Sequence, residues 1–173
     1  MAVTVDGTNG VTTPNILNSG ANGVGNIGNA TTYFNTAFIK ATSAQYADVA
    51  ELYLSDLIYP PGTVLVFGGV QEVTASLQSH TTAIAGVVSK HPSHLMNAGL
   101  EGPGAIPVAL LGRVTCNVQG NIARGDLLVA SDRQGTATRL DPAQYQPGCV
   151  IGKSLADYNS DTVGKIEIAV GIK

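Results

Sequence analysis

Residues 25–53, GNIGNATTYFNTAFIKATSAQYADVAELY, join two unlike stretches of chain. Before them lies a polar run rich in Asn, Gly and Thr, with small apolar residues (Val3, Val5, Val11, Ile16, Leu17, Val24) set several positions apart. So few apolar side chains cannot repay the entropy of ordering the run by itself. After them come short β-branched segments separated by turn signals at regular intervals. The pattern predicts all-β architecture: an extended N-terminal stalk over residues 1–45, intertwined with other copies, and a compact β-barrel or β-clip-like head over residues 46–173. In the stalk, Ile16, Leu17, Val24, Ile27, Tyr33, Phe34, Phe38 and Ile39 are the residues expected at an interface between chains.

The head is punctuated by Pro and Gly. Tyr59-Pro60-Pro61-Gly62 is a turn leading into TVLVFGG, which reads as a buried strand. VQEVTASL alternates, TAIAGVVS is a second core strand, and HPSHLMNAGLEGPGA reads as a long loop. IPVALLGRVTCNVQG is one long strand or two joined at Gly112. NIARGD turns into DLLVAS, DPAQYQPG is a loop before CVIGKSLA, and KIEIAVGI closes the series. About eight strands at this spacing suit a barrel or sandwich. PPGTVLVF, ARGDLLVA and QPGCVIGK echo one another. Within TSAQYADVAEL, alanine spacing and a serine start signal predict a short helical turn at residues 45–51.

Composition excludes several classes of function. Charged residues are 12% of the 173, against about a quarter in ordinary globular chains. The formal net charge is −3, and the nine basic residues are scattered, so a nucleic-acid partner is not expected. No apolar run reaches the roughly 18 residues of a membrane span, and MAVTVDGTNG has no signal-peptide pattern. The expectation is a product made in a host cytoplasm, with no membrane insertion. Cys116 and Cys149 sit in strand-like runs without a CxxC, which suits two buried thiols better than a disulfide or a zinc site.

Taken in order, NIGNATTYFNTAFIKATSAQYADVAELY, PPGTVLVFGG, AIAGVVS, HLMN, PVALLGRVTCNVQGNIARGDLLVAS and GCVIGKSL resemble a C-terminal β-domain of tailed-bacteriophage fibre and appendage proteins, common in cyanophage and T4-like virions. The resemblance covers about residues 23–173. It implies a structural virion protein, a trimeric tail fibre, spike or appendage component. Its N-terminus would meet other virion proteins, and its exposed head would meet a host surface glycan or protein. SAQYADVAELY and AGVVS are also similar to peptidase G2 type modules, which are self-cleaving intramolecular chaperones. That alternative lacks the extra C-terminal region those modules use. A capsid decoration or head-fibre protein is the third reading.

The chemical candidates are few. Ser43 is the one catalytic candidate, as a hydroxyl nucleophile with Lys40 as base; a serine capping the turn at Gln45 competes with it. Asp48 and Glu51, three apart on a helical turn, face the same way and cannot flank a sugar at the roughly 5–9.5 Å that glycosidases need. They read as solvated or salt-bridged carboxylates. His91 and His94 are metal candidates if one histidine per chain meets on a three-fold axis; an ordinary surface loop competes. His80 reads as exposed. Arg124-Gly125-Asp126 reads as a turn. No cofactor is expected, and the chain is not expected to be an enzyme.

Overall fold

A computed structural model describes residues 20, 27, 29, 31, 32, 35, 37 and 44–171. The chain divides into two units, Met1–Ala41 and Thr42–Lys173. In the first, the Asn29 side chain accepts hydrogen bonds from the backbone N–H groups of Thr31 and Thr32 (2.9 and 2.8 Å), and Asn29 N–H donates to Thr32 O (2.8 Å). This is the side-chain turn expected of Asn beside Gly28. Ile27 is exposed. The other expected interface residues (Ile16, Leu17, Val24, Tyr33, Phe34, Phe38, Ile39) lie outside the described residues, as do Lys40 and Ser43.

The second unit is all-β. Its strands are β1 (Asp48–Leu54), β2 (Val64–Phe67), β3 (Val73–Ala75), β4 (Ile84–Val88), β5 (His94–Met96), β6 (Ala105–Ile122), β7 (Leu127–Ala130), β8 (Ala137–Arg139), β9 (Val150–Ser154) and β10 (Tyr158–Val170). Two expectations are corrected here. Residues 48–51 belong to β1 and not to a helical turn, because the apolar alternation of DVAELYL is satisfied by pairing on β6. The loop HPSHLMNAGLEGPGA contains β5, which runs parallel to β1 at Val49, Ala50 and Glu51.

These strands close into two rings. The second is a five-stranded barrel, β6-β10-β9-β7-β8, shut by the parallel pairing of Val118 with Ala137. The first runs β1-β6-β4-β2-β3 and is shut by a parallel bridge between Ser55 and Val73. Superposing the pairings maps Ala50 onto Arg113, Ser55 onto Val118, Leu65 onto Leu128 and Ala109 onto Ala169. The entry turns match as well. Gly62 (φ 98°) donates to Val88 O and Gly125 (φ 92°) to Ser154 O, both at 2.9 Å. Register shifts fall at Leu65/Val66 and Leu128/Val129. The head is therefore a duplicated ring, and β6 is the last strand of the first copy and the first strand of the second.

Alternation fills both interiors. Val114, Cys116 and Val118 of β6 and Ile166, Ile168 and Val170 of β10 point inward with Leu128 and Ala137. Leu65, Val73, Ile106 and Val108 fill the first ring. Val64, Val87 and Ala109, on the outside of the first ring, join the core of the second, so the two rings share apolar packing. Leu140 and Cys149 cover Val129 and Val150 on the barrel's outer face.

Each ring also has a glycine of ordinary φ pressed against a carbonyl: Gly86 against Ala109 O and Gly152 against Ala169 O. Neither needs a positive φ, so what excludes a side chain is space alone. Gly86→Ala and Gly152→Ala are each expected to cost about 1–3 kcal/mol in urea unfolding. Gly99→Ala, whose added carbon meets nothing within 4 Å, is expected to stay within about 0.5 kcal/mol of the parent. Equal midpoints for all three would remove close approach as the reason for these glycines.

Candidate functional site

The segment entering β1 passes over β6 at its bend. Asp48 lies opposite Gly112 in the register, and Arg113 N–H donates to Ala47 O (3.1 Å). Gly112 has φ 106°, and a Cβ there would run into Ala47 O, so only glycine permits this approach. The connection between β4 and β5 is tied to the same place. Ser93 donates to Asp48 O from its N–H (2.8 Å) and its hydroxyl (2.9 Å).

Between these pieces is a cleft of about 290 Å³, lined among others by Tyr46, Asp48, Lys90, His91, Arg113 and Glu167. Tyr46 and His91 stack with ring centroids 5.4 Å apart and planes 28° from parallel. Arg113 Nη1 meets Glu167 Oε2 at 3.3 Å, with both side chains more than half exposed. Such a pair contributes little to stability and leaves both groups available. Asp48 is only 4% exposed, and its Oδ2 has no hydrogen-bond partner among the described residues. This corrects the expectation of a solvated carboxylate. Glu51 instead accepts a hydrogen bond from Tyr53 Oη (2.9 Å). Burial, and then that bond, raise the Tyr53 phenol above its ordinary value.

A second, polar cleft lies between Gln78–Thr82 and Gln144–Gln146, beside the 3-10 turn Pro142–Gln144. His80 is buried there, against the expectation of exposure, with φ 56°. Asp141 N–H donates to His80 Nε2 (3.2 Å), so the proton sits on Nδ1 and is given to Ser79 Oγ at 2.7 Å. A base for Ser79 would need the opposite polarity. The imidazole instead holds Asp141 in place, where its carboxylate caps the 3-10 turn. Hydrogen bonds from Ala143 N–H and Gln144 hold that carboxylate below its ordinary pKa.

The remaining candidates stay apart. His91 is in the aromatic stack and His94 is on β5; among the described residues no three His, Cys, Asp or Glu side chains converge on a metal position. The Asp126 carboxylate is held by Ala123 N–H (2.8 Å) and faces Arg139 (3.7 Å), which makes Arg124-Gly125-Asp126 a structural turn. Among the described residues no helix is long and apolar enough to cross a membrane. The fold and these clefts define a class: a duplicated β-ring head with shallow surface clefts. No protein-family model matches the chain, and no curated protein matches it.

Cys116 and Cys149 are buried free thiols, as their strand-like settings suggested. Burial pushes the Cys116 thiol from 9.0 up to about 12. The folded state therefore keeps this proton where the unfolded chain loses it. The resulting stability is complete below about pH 9 and is lost as pH rises towards about 12, at roughly 1.4 kcal/mol per pH unit. In urea unfolding, Cys116→Ala is expected to be less stable than the parent at neutral pH, and the gap should close above about pH 9. A gap that does not change with pH would contradict this assignment.

Proposed function

We propose that the chain is a structural component of a bacteriophage virion: a trimeric tail-fibre, spike or appendage protein whose head is exposed to a host surface or to another virion protein. The observation that carries this reading is the apolar end of the first ring. Ile58 is 80% and Val70 91% exposed, with Leu57 and Phe67 also open to solvent. The bridge between Ser55 and Val73 and the bond from Glu72 N–H to Leu54 O (3.1 Å) bring these two loops together. Exposed apolar side chains on adjoining loops mark a contact surface, and on a chain with so few charges they suit permanent packing against other subunits.

The sparse apolar residues of the stalk support the same reading, since sister chains would supply the missing burial. The virion and the three-fold symmetry in this reading rest on the resemblance of the quoted sequence segments to phage fibre and appendage domains. The head's job in this reading is contact, not catalysis.

Light scattering on the full chain during size-exclusion chromatography tests it. The expected mass is three times 17.7 kDa. Ile16→Asp combined with Leu17→Asp is expected to release monomers that keep a folded head by circular dichroism. A monomeric parent chain would sink the appendage reading.

A further inference from the structure

The two rings of the head meet through a contact made once within the chain. The hairpin tip between β7 and β8 reaches back to the first ring and seats Gly135 at the open end of the β2–β3 hairpin. Gly135 O accepts from Val64 N–H (2.9 Å) and Gly135 N–H donates to Ser76 O (2.8 Å), beside the bond from Ser76 N–H to Val64 O (3.0 Å). The tip thus satisfies the donor and the acceptor that the end of a hairpin leaves over.

Both halves of this contact recur. In the second ring, Leu127 and Leu140 stand where Val64 and Ser76 stand in the first, and Leu140 N–H donates to Leu127 O (2.8 Å). Among the described residues no third residue bonds to that pair as Gly135 does, and a cleft of about 270 Å³ lined by Arg139, Leu140, Asp141 and Pro142 opens beside it. In the first ring, the tip between β2 and β3 is built like the one that carries Gly135. Gly68 N–H donates to Glu72 O as Ser131 N–H does to Thr136 O, which puts Gln71 in the place of Gly135. Val70 and Gln71 are exposed. The head therefore carries a tip on its first ring and a seat on its second, the two surfaces through which repeats stack.

Charge agrees with this pairing. From residue 48 to 112 the chain has five acidic side chains and one basic, whereas from 113 to 171 it has six of each. Asp56 lies beside the tip, its Oδ2 3.5 Å from where a Cβ on Gly69 would be, and Glu72 is part of the tip. Arg139 lines the seat, and Lys153 pairs with Leu127. Opposite charges across a contact fix its orientation and disfavour tip against tip.

We propose that the tip of the first ring, residues 68–72, docks between Leu127 and Leu140 on the second ring of another copy of this chain, by the contact that Gly135 makes within one chain. Such a contact is head-to-tail: each copy offers a different surface to each of two neighbours. The proposal rests on reading the head as packed against other subunits, and it names the surface that covers the apolar end.

The test is disulfide trapping on the full chain carrying Gln71→Cys and Arg139→Cys together. The counterparts of these positions, Gly135 and Ala75, hold Cβ positions 3.9 Å apart, within the span of a disulfide. Both substituted positions are exposed, while Cys116 and Cys149 are buried. Losing the exposed Arg139–Asp126 pair costs little stability. Oxidised with diamide, the double variant should form covalently joined chains on a non-reducing gel and return to single chains with reductant. Neither single variant should join at a comparable rate. Val70→Asp added to the pair should slow the joining by about tenfold or more, because it buries an unpaired charge. No joined chains from a double variant that circular dichroism shows to be folded, equal joining by either single variant, or a rate unchanged by Val70→Asp would each overturn the contact. Light scattering on the parent chain separates the two readings. A trimeric parent whose double variant does not join loses the contact and keeps the appendage reading. A monomeric parent whose double variant joins does the reverse.

Discussion

Strand β6 has to belong to two closed rings at once, and the rest of the head is arranged around that constraint. Its first half pairs with β1 and β4, and its second half with β8 and β10. A strand of 18 residues is about three times the usual length. It can serve both rings because Gly112, at φ 106°, changes its course where one ring gives way to the other. A side chain there would be strained by that φ and blocked by the Ala47 carbonyl. The extra residue that β6 carries opposite Val49 and Ala50 adds to the bend. With a strand in common, neither ring can shift without deforming the other, and Val64, Val87 and Ala109 extend the shared core across the join.

The duplication keeps the order of strands around each ring, with β5 an addition to the first, and is unequal in chemistry. Val87, buried where the first ring meets the second, corresponds to Lys153, which is exposed. The first ring is covered by its copy on that face, while the second presents a charge at the corresponding position. The same logic applies at the entry turns. Thr63 caps its turn by donating to Pro60 O (2.7 Å), whereas Asp126 accepts from Ala123 N–H. Proline has no N–H to give, so the capping group must be a donor in one copy and can be an acceptor in the other. Two sequences have thus solved one geometric problem with opposite hydrogen-bond polarity.

That divergence explains what the sequence revealed and what it hid. Strands β2, β7 and β9 were legible because Val, Leu and Ile runs follow Pro-Gly or Arg-Gly turns, and β4 from its own apolar run. The echo between PPGTVLVF and ARGDLLVA was a true correspondence. QPGCVIGK was matched to the wrong partner: it corresponds to the strand of TAIAGVVS, with Gly152 in the place of Gly86. The full repeat was hidden because, between Ala50–Phe67 and Arg113–Ala130, only Gly62/Gly125, Leu65/Leu128 and Val66/Val129 are identical. β5 escaped because His94 and Leu95 are exposed and carry no alternation. Alanine spacing in AQYADVAEL suggested a helix, and pairing with β6 overrode that local preference. Neither the burial of Asp48 nor that of His80 had a local signal. Both follow from segments distant in sequence: Gly112 with Ser93 in one case, Ala130 with Asp141 in the other.

The position of the first cleft follows from the same shared strand. Arg113 is the first residue of β6 past its bend, and Glu167 reaches it from β10 of the second ring. Asp48 and Tyr46 come from the chain entering the first. A cleft forms there because the two rings diverge from one strand and their loops cannot fill the angle between them. A site at the junction is what this topology produces, and its charges could diversify without disturbing either core. That separation suits a contact protein: the rings supply rigidity, and the junction supplies a surface whose residues are constrained only by what they touch.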